Sequence, residues 1–264
     1  MINGRSRRSS ARRNRYSPAR KAKPAHGPGG RALSNVTLQP WAENGVPATL
    51  SERVYRAFKL DLIRGIYLGG EAVGEKALAK RYRGSRTPVR EAAVRLQHEG
   101  LLRIVPNRGY FVSAITIDWL NQIYEYRAAV ESSSAELAAR KGCNDNALLE
   151  KLHELACTQY DPHDRSSYKH FIEQDTAFHI GVAQLTRNPL MVRTVTDMRC
   201  QMERVMYAAI DIDYYGEAPV REHCDILDAI KRHDRDQARQ LMYDHILGSR
   251  GKVVRLAADD RTAF

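Results

Sequence analysis

The chain has 264 residues, with 42 Lys and Arg against 31 Asp and Glu, a formal charge of +11. That length holds one or two domains and a sizeable core. No apolar run approaches the roughly 18 residues of a membrane span, and the polar amino terminus lacks the apolar segment of a secretory signal. Neither a membrane nor a secreted protein is expected, and the expected location is the cytoplasm. Cys143, Cys157, Cys200 and Cys224 are too scattered for a C-x-x-C motif and read as buried thiols in a reducing compartment.

The charge is uneven. Residues 1–45 carry ten basic side chains and one acid, residues 46–114 thirteen and six, and residues 115–264 nineteen and twenty-four. A basic front joined to an acidic back points to a polyanion as partner of the front alone. Residues 1–45, rich in Arg, Ser, Pro and Gly, have too little apolar side chain to offset ordering entropy and are expected to be a disordered basic tail.

The first helix opens at Thr49, where Thr49-Leu50-Ser51-Glu52 has capping-box form. Tyr55, Phe58, Leu62 and Ile66 then recur at helical spacing, and Gly69-Gly70 ends the element. A short helix is expected over 75–82 and a third over 85–98, with Ser85 or Thr87 as N-cap and Pro88 in its first turn. Two extended runs, 101–105 and 110–113, flank Pro106-Asn107-Arg108-Gly109, which has hairpin-turn chemistry. Three helices and a hairpin outline a winged helix-turn-helix over 46–114. From Thr116 only helical periodicity appears, with helices expected over 117–141, 145–159, 165–186, 189–211, 218–232 and 235–255. The fold class is therefore mainly α: a winged helix-turn-helix, then an antiparallel bundle of six or seven helices over 115–256, and a tail over 257–264.

On the third helix Val89, Ala92 and Leu96 share a core-facing stripe, while Arg86 and Arg90, four apart, share a neighbouring face. Two arginines with Thr87 at the N-terminal end of an exposed helix suit the major groove of double-stranded DNA, since Arg bonds two acceptors on guanine. Lys76 is placed to reach the backbone, and Arg108, at the hairpin tip, a phosphate or the minor groove.

The back half holds an unusual set. Asp175 and His179 lie four apart on a stripe with Phe171, Phe178 and Val182. His223 falls among Val220, Ile226, Leu227 and Ile230, and His245 among Ala238, Leu241 and Met242. Polar groups on apolar stripes need partners. One carboxylate and three imidazoles suit a divalent metal, zinc first, with nickel, manganese or iron as alternatives. The alternative is that they are hydrogen-bonded core residues. His26, His98, His153, His163, His170 and His233 read as surface residues. Arg127 shares the stripe of Leu120, Ile123, Val130 and Leu137. It suits either the carboxylate of a small organic acid effector or a structural pair with Glu131.

Glu75–Val112, with Leu-Ala-Lys-Arg-Tyr, Ser85-Arg86-Thr87-Pro88-Val89-Arg90-Glu91-Ala92, Glu99-Gly100-Leu101 and Pro106-Asn107-Arg108-Gly109, resembles the winged helix of the GntR family of bacterial transcription regulators. It departs at Arg83-Gly84, where the family usually has Gly and then an apolar residue. Residues 118–250, with Tyr126-Arg127, Asp-x-x-x-His at Asp175, Asn188-Pro189-Leu190, Glu222-His223 and Met242-x-x-His245, resemble the FCD domain of the FadR-type subfamily. The resemblance implies operator contacts by Arg86, Thr87 and Arg90, with a weaker transfer to Lys76, and metal ligation by Asp175, His179, His223 and His245. The implied protein is a homodimeric repressor on a palindromic operator, modulated by a carboxylate-bearing metabolite at the metal. A metal-dependent enzyme, a pure metal sensor and a purely structural metal remain the alternatives from the donor set.

Overall fold

Thr49 starts α1 (Leu50–Ile63) by accepting a hydrogen bond from the Glu52 amide at 3.2 Å. The expected return contact of the capping box gives way to ion pairs, because the Glu52 carboxylate takes Arg56 and Arg95, each at 2.7 Å. Tyr55, Phe58 and Leu62 are buried as expected, but Ile66 is half-exposed, since the helix has already ended. Gly65 takes φ 71°, its amide bonds to Leu62 O and that of Ile66 to Asp61 O. This is a Schellman cap, and it turns the chain off the helix axis before Ile66 can join the stripe. The computed structural model describes residues 49–142, 145–161, 164–211 and 219–259. The segment 1–45, Cys143 and His163 fall outside them.

A two-residue strand follows, β1 (Ala72–Val73), then α2 (Glu75–Arg81), α3 (Arg86–His98), β2 (Leu102–Val105) and β3 (Gly109–Val112). β3 lies between β1 and β2 in an antiparallel sheet, with Val73 opposite Tyr110 and Leu102 opposite Val112. Sequence reading found the β2–β3 hairpin and missed β1, which is too short to show alternation. The hairpin turn uses Asn107 at φ 60° and Gly109 at φ 95°, with Arg108 N–H donating to Val105 O. Val54, Phe58, Leu62, Leu78, Val89, Ala92, Leu96 and Val112 close one core beneath the three helices and the sheet. Each of the Val, Leu and Phe side chains contributes roughly 1.5–3 kcal/mol on full burial.

Six helices follow among the described residues: α4 (Ile117–Lys141), α5 (Asn146–Ala156), α6 (Arg165–Leu185), α7 (Pro189–Asp211), α8 (Val220–Lys231) and α9 (Arg235–Asp259). α9 therefore runs beyond residue 256, where the bundle was expected to end. The turns between α6 and α7 and between α8 and α9 are tight, using Arg187 at φ 50° and His233 at φ 60°. Leu120, Tyr124, Ala135 and Ala138 of α4, Phe178 and Val182 of α6, Ile226 and Ile230 of α8, and Met242 and Ile246 of α9 make the bundle core. The alanines on α4 let neighbouring helices approach closely. None of the helices among the described residues is long and apolar enough to cross a membrane.

The winged helix and the bundle meet on α7. Gln201 Nε2 donates to the backbone oxygen of Glu99, the C-cap of α3, at 2.5 Å. Arg204 donates to the backbone oxygen of Ser113, just past β3.

Candidate metal centre and DNA-reading face

Three bundle helices deliver four side chains to one point. Asp175 and His179 come from adjacent turns of α6, His223 from the first turns of α8 and His245 from the middle of α9. All are buried. The three histidines each present a ring nitrogen within 4.8 Å of the others. His179 Nε2 and His245 Nε2 lie 3.3 Å apart, and Asp175 Oδ1 lies 3.5 Å from His223 Nε2 and 3.8 Å from His179 Nε2. Around an ion with metal–nitrogen bonds of about 2.0–2.1 Å, donors of a tetrahedral set sit about 3.4 Å apart, so the spacing fits.

Carboxylates face the outer ring nitrogens of two of the histidines. His179 Nδ1 faces Glu131 Oε2 at 2.5 Å, and His245 Nδ1 faces Glu222 Oε2 at 2.6 Å. A neutral imidazole donating from Nδ1 keeps a bare lone pair on Nε2. With both Nδ1 atoms protonated, the two Nε2 atoms, 3.3 Å apart, would offer their lone pairs to a cation beside the Asp175 carboxylate. His223 Nε2 is buried without a hydrogen-bond partner, and its ring stacks on Phe178 at 4.2 Å between centroids. Such a group of side chains could hold a divalent metal.

Protonation agrees. Burial pushes the His179 imidazole down to about 4. Burial, followed by the neighbouring His245, holds His223 well below the ordinary histidine value. Burial opposes ionisation of Asp175, but the Arg199 guanidinium paired to Oδ2 outweighs it and holds the carboxyl below its usual range. At neutral pH His179 and His223 are therefore neutral imidazoles and Asp175 a carboxylate, the forms that ligate.

Arg127 makes the Glu131 pair, one of its two readings. It is buried, with Nε 2.6 Å from Glu131 Oε1, so Glu131 spans Arg127 and His179. The sequence reading missed Arg199 on α7. Its signal was an arginine among Val195, Met198 and Met202, the same polar-on-apolar oddity that marked the histidines. Among the described cysteines, Cys200 is buried as expected, but Cys157 is exposed and Cys224 half-buried. Cys157 is the C-cap residue of α5, where the chain leaves the helix and the side chain leaves the core.

On the winged helix, Arg86, Thr87 and Arg90 are all exposed at the N-terminal end of α3. Ser85 is its N-cap residue, and Val89, Ala92 and Leu96 face the core. Both arginines meet Glu75 of α2, Arg90 at 2.8 Å and Arg86 at 3.7 Å, contacts 15 and 11 residues away in sequence that no helical spacing signals. Lys76 is exposed in the first turn of α2, and Arg108 is exposed in the β2–β3 turn, 5.9 Å above the Phe111 ring.

A winged helix on a helical bundle with a polar centre defines a DNA-binding transcription regulator. Residues 50–112 match the family described as "Bacterial regulatory proteins, gntR family", and residues 122–248 match the FCD domain. The chain belongs to the GntR family and carries an FCD domain. It is 28% identical over 75% of its length to 86% of the HTH-type transcriptional repressor RspR of Escherichia coli. It is 29% identical over 67% of its length to 81% of the Nta operon transcriptional regulator of Aminobacter aminovorans. Among solved structures, it matches McbR/YncC of E. coli with a TM-score of 0.64 at 18% identity, over 80% of this chain and 99% of that one. A GntR regulator from a Rhodococcus species matches with a TM-score of 0.62 at 21% identity, over 77% and 97%. The family answers the enzyme alternative that the donor set had left open: these relatives are regulators.

Proposed function

We propose that the protein is a homodimeric repressor whose two winged helices take the halves of a palindromic operator, and whose affinity for it is set by a divalent metal and a small carboxylate-bearing effector in the bundle. The observation that carries the metal half is the convergence of His179, His223 and His245, each with a ring nitrogen within 4.8 Å of the others, beside the Asp175 carboxylate. Asp175, His179, His223 and His245 would hold the ion, which supplies a Lewis-acid anchor for an anionic oxygen of the effector. Glu131 and Glu222 orient two imidazoles, Arg199 fixes Asp175, and Phe178 holds the His223 ring in place.

For DNA, Arg86, Thr87 and Arg90 read base edges in the major groove, with Lys76 and Arg108 on the backbone or minor groove. Coupling is supported by α7: Arg199 grips a candidate ligand, while Gln201 and Arg204, within two turns on the same rod, hold the ends of α3 and β3. A cleft of about 570 Å³ between the reading head and the bundle, bounded by Lys59, Glu99, Asp197 and Gln201, leaves room for a small rotation. An effector shifts such an equilibrium only by its unequal affinity for the two arrangements.

The test is metal analysis of carefully purified protein and of His223→Ala, with sedimentation and operator titrations with and without zinc and a panel of organic acids. The reading requires bound metal in wild type, less in the variant with helical signal intact, a dimer, and an operator affinity that responds to an acid. A response to zinc alone selects the metal-sensor reading. Metal that never binds on titration sinks the site.

A further inference from the structure

Two thiols meet on the outside of the bundle. Cys157 is the exposed C-cap residue of α5, and Cys224 sits half-buried on α8. Their Sγ atoms are 3.8 Å apart across 67 residues of sequence, and Cys157 Sγ is also 4.0 Å from His153 Nε2, one turn back on α5. A disulfide needs sulfurs about 2.05 Å apart and Cβ atoms within about 4.5 Å. The two sulfurs are already in contact, and one of them sits on the residue that ends a helix, where the backbone has room to adjust. Cys200, by contrast, is buried beside the α1–α7 contact and has no such neighbour among the described residues.

We propose that Cys157 and Cys224 form a dithiol site that a hydroperoxide oxidises to a reversible disulfide joining α5 to α8. The Cys157 sulfur attacks the peroxide, breaking its O–O bond, to give a sulfenic acid and release water or an alcohol. The Cys224 sulfur then attacks the sulfenic sulfur, the S–S bond forms, and the hydroxyl leaves as a second molecule of water. Sulfur gives up two electrons in total and the peroxide accepts them. In a reducing compartment such a bond is transient, as regulatory disulfides are. Its position is specific: Cys224 follows His223 directly in α8, so the bond would tether the helical turn that brings this imidazole to the candidate metal centre. The site itself depends only on the two sulfurs and stands whether or not a metal binds.

The experiment treats the full-length reduced protein with stoichiometric hydrogen peroxide, blocks the remaining thiols by alkylation, and maps peptides without reduction. The expected product is one intrachain cross-link between the Cys157 and Cys224 peptides, lighter by two hydrogens. It should be reversed by dithiothreitol, lost in Cys157→Ser and in Cys224→Ser, and kept in Cys200→Ser. Recovery of both thiols as alkylated residues, their separate conversion to sulfinic acids, or a cross-link only between chains would overturn the assignment.

Discussion

Arg199 of α7 and Asp175 of α6 form a buried ion pair at the wall of the candidate metal centre, the guanidinium on Oδ2 and the imidazoles of His179 and His223 on the side of Oδ1. One carboxylate thus pairs with a permanent cation and leaves Oδ1 for the proposed ion. Removing Arg199 leaves Asp175 charged and buried without its partner, a loss typically of about 3–5 kcal/mol. An ion at Oδ1 replaces part of that missing charge. Arg199→Met is therefore expected to unfold at markedly lower temperature than wild type in EDTA, with the gap narrowing in zinc. Thermal denaturation under both conditions decides it. An equal gap in both would mean that Asp175 does not face the ion.

One turn further along α7, Glu203 lies in the wall behind Arg199. Burial pushes its carboxyl up to about 7, against an ordinary value of 4.5. Between those values the unfolded chain has released a proton that the folded chain still holds, so the contribution of Glu203 to stability falls as pH rises from about 4.5 through 7. Glu203→Gln removes this dependence. It should stabilise the fold by on the order of 3 kcal/mol above pH 7 and change little near pH 4.5, as judged by urea unfolding at the two pH values. Equal shifts at both would mean that the carboxyl is ionised throughout.

What the sequence could reveal follows from how each contact is encoded. Asp175 and His179 are a helical turn apart, and His223 and His245 each break an apolar stripe, so residues far apart in the chain could be assigned to one centre. The cap of α1 and the hairpin turn were legible because their chemistry is local. Glu75 under Arg86 and Arg90, and Gln201 and Arg204 on the backbone of the reading head, were not, because the partners of such polar residues are set by how separate elements pack and leave no periodicity in the chain. The Cys157–Cys224 contact was missed for the same reason: it joins two helices through side chains with no shared stripe.

The exposed arginines of α3 carry a quantitative expectation. Arg86→Ala or Arg90→Ala should each cost roughly 1–3 kcal/mol of operator binding and relax specificity at the bases they read. Glu75 holds both side chains in the free protein, so Glu75→Gln should raise affinity for unrelated DNA while narrowing its difference from the operator. Fluorescence anisotropy on operator and scrambled duplexes, over a salt series, measures both. Unchanged operator affinity in the arginine variants would remove them from the groove.

The turn before α3 stores strain at a known place. Arg83 takes φ 51°, where a Cβ costs roughly 1–2 kcal/mol, and this is the position at which the resembling family usually has glycine. Gly gives some of that back through the entropy of the unfolded chain. Arg83→Gly should therefore raise stability by a net of about 0.5–1 kcal/mol in urea titrations, and it should remove one positive charge near the DNA, lowering the salt dependence of binding slightly. A destabilised variant would mean that the arginine side chain makes a contact worth more than the strain.

The joint on α7 tests the coupling itself. Gln201 and Arg204 bind backbone oxygens at the ends of α3 and β3, while Arg199, less than two turns away, binds Asp175. If α7 carries the state of the centre to the reading head, cutting the joint should leave both ends working and disconnect them. Gln201→Ala removes one hydrogen bond without burying a charge and is the gentler variant. Burial brings the Arg204 guanidinium down to about 10, still charged at neutral pH, so Arg204→Ala should also cost stability. Each is expected to bind zinc within about twofold of wild type, yet to reduce the ratio of operator affinities with and without zinc and acid by about fivefold, a coupling change on the order of 1 kcal/mol. A ratio equal to that of wild type, with metal binding intact, would make these contacts packing alone and send the search for the transmitting element to α4 and α1.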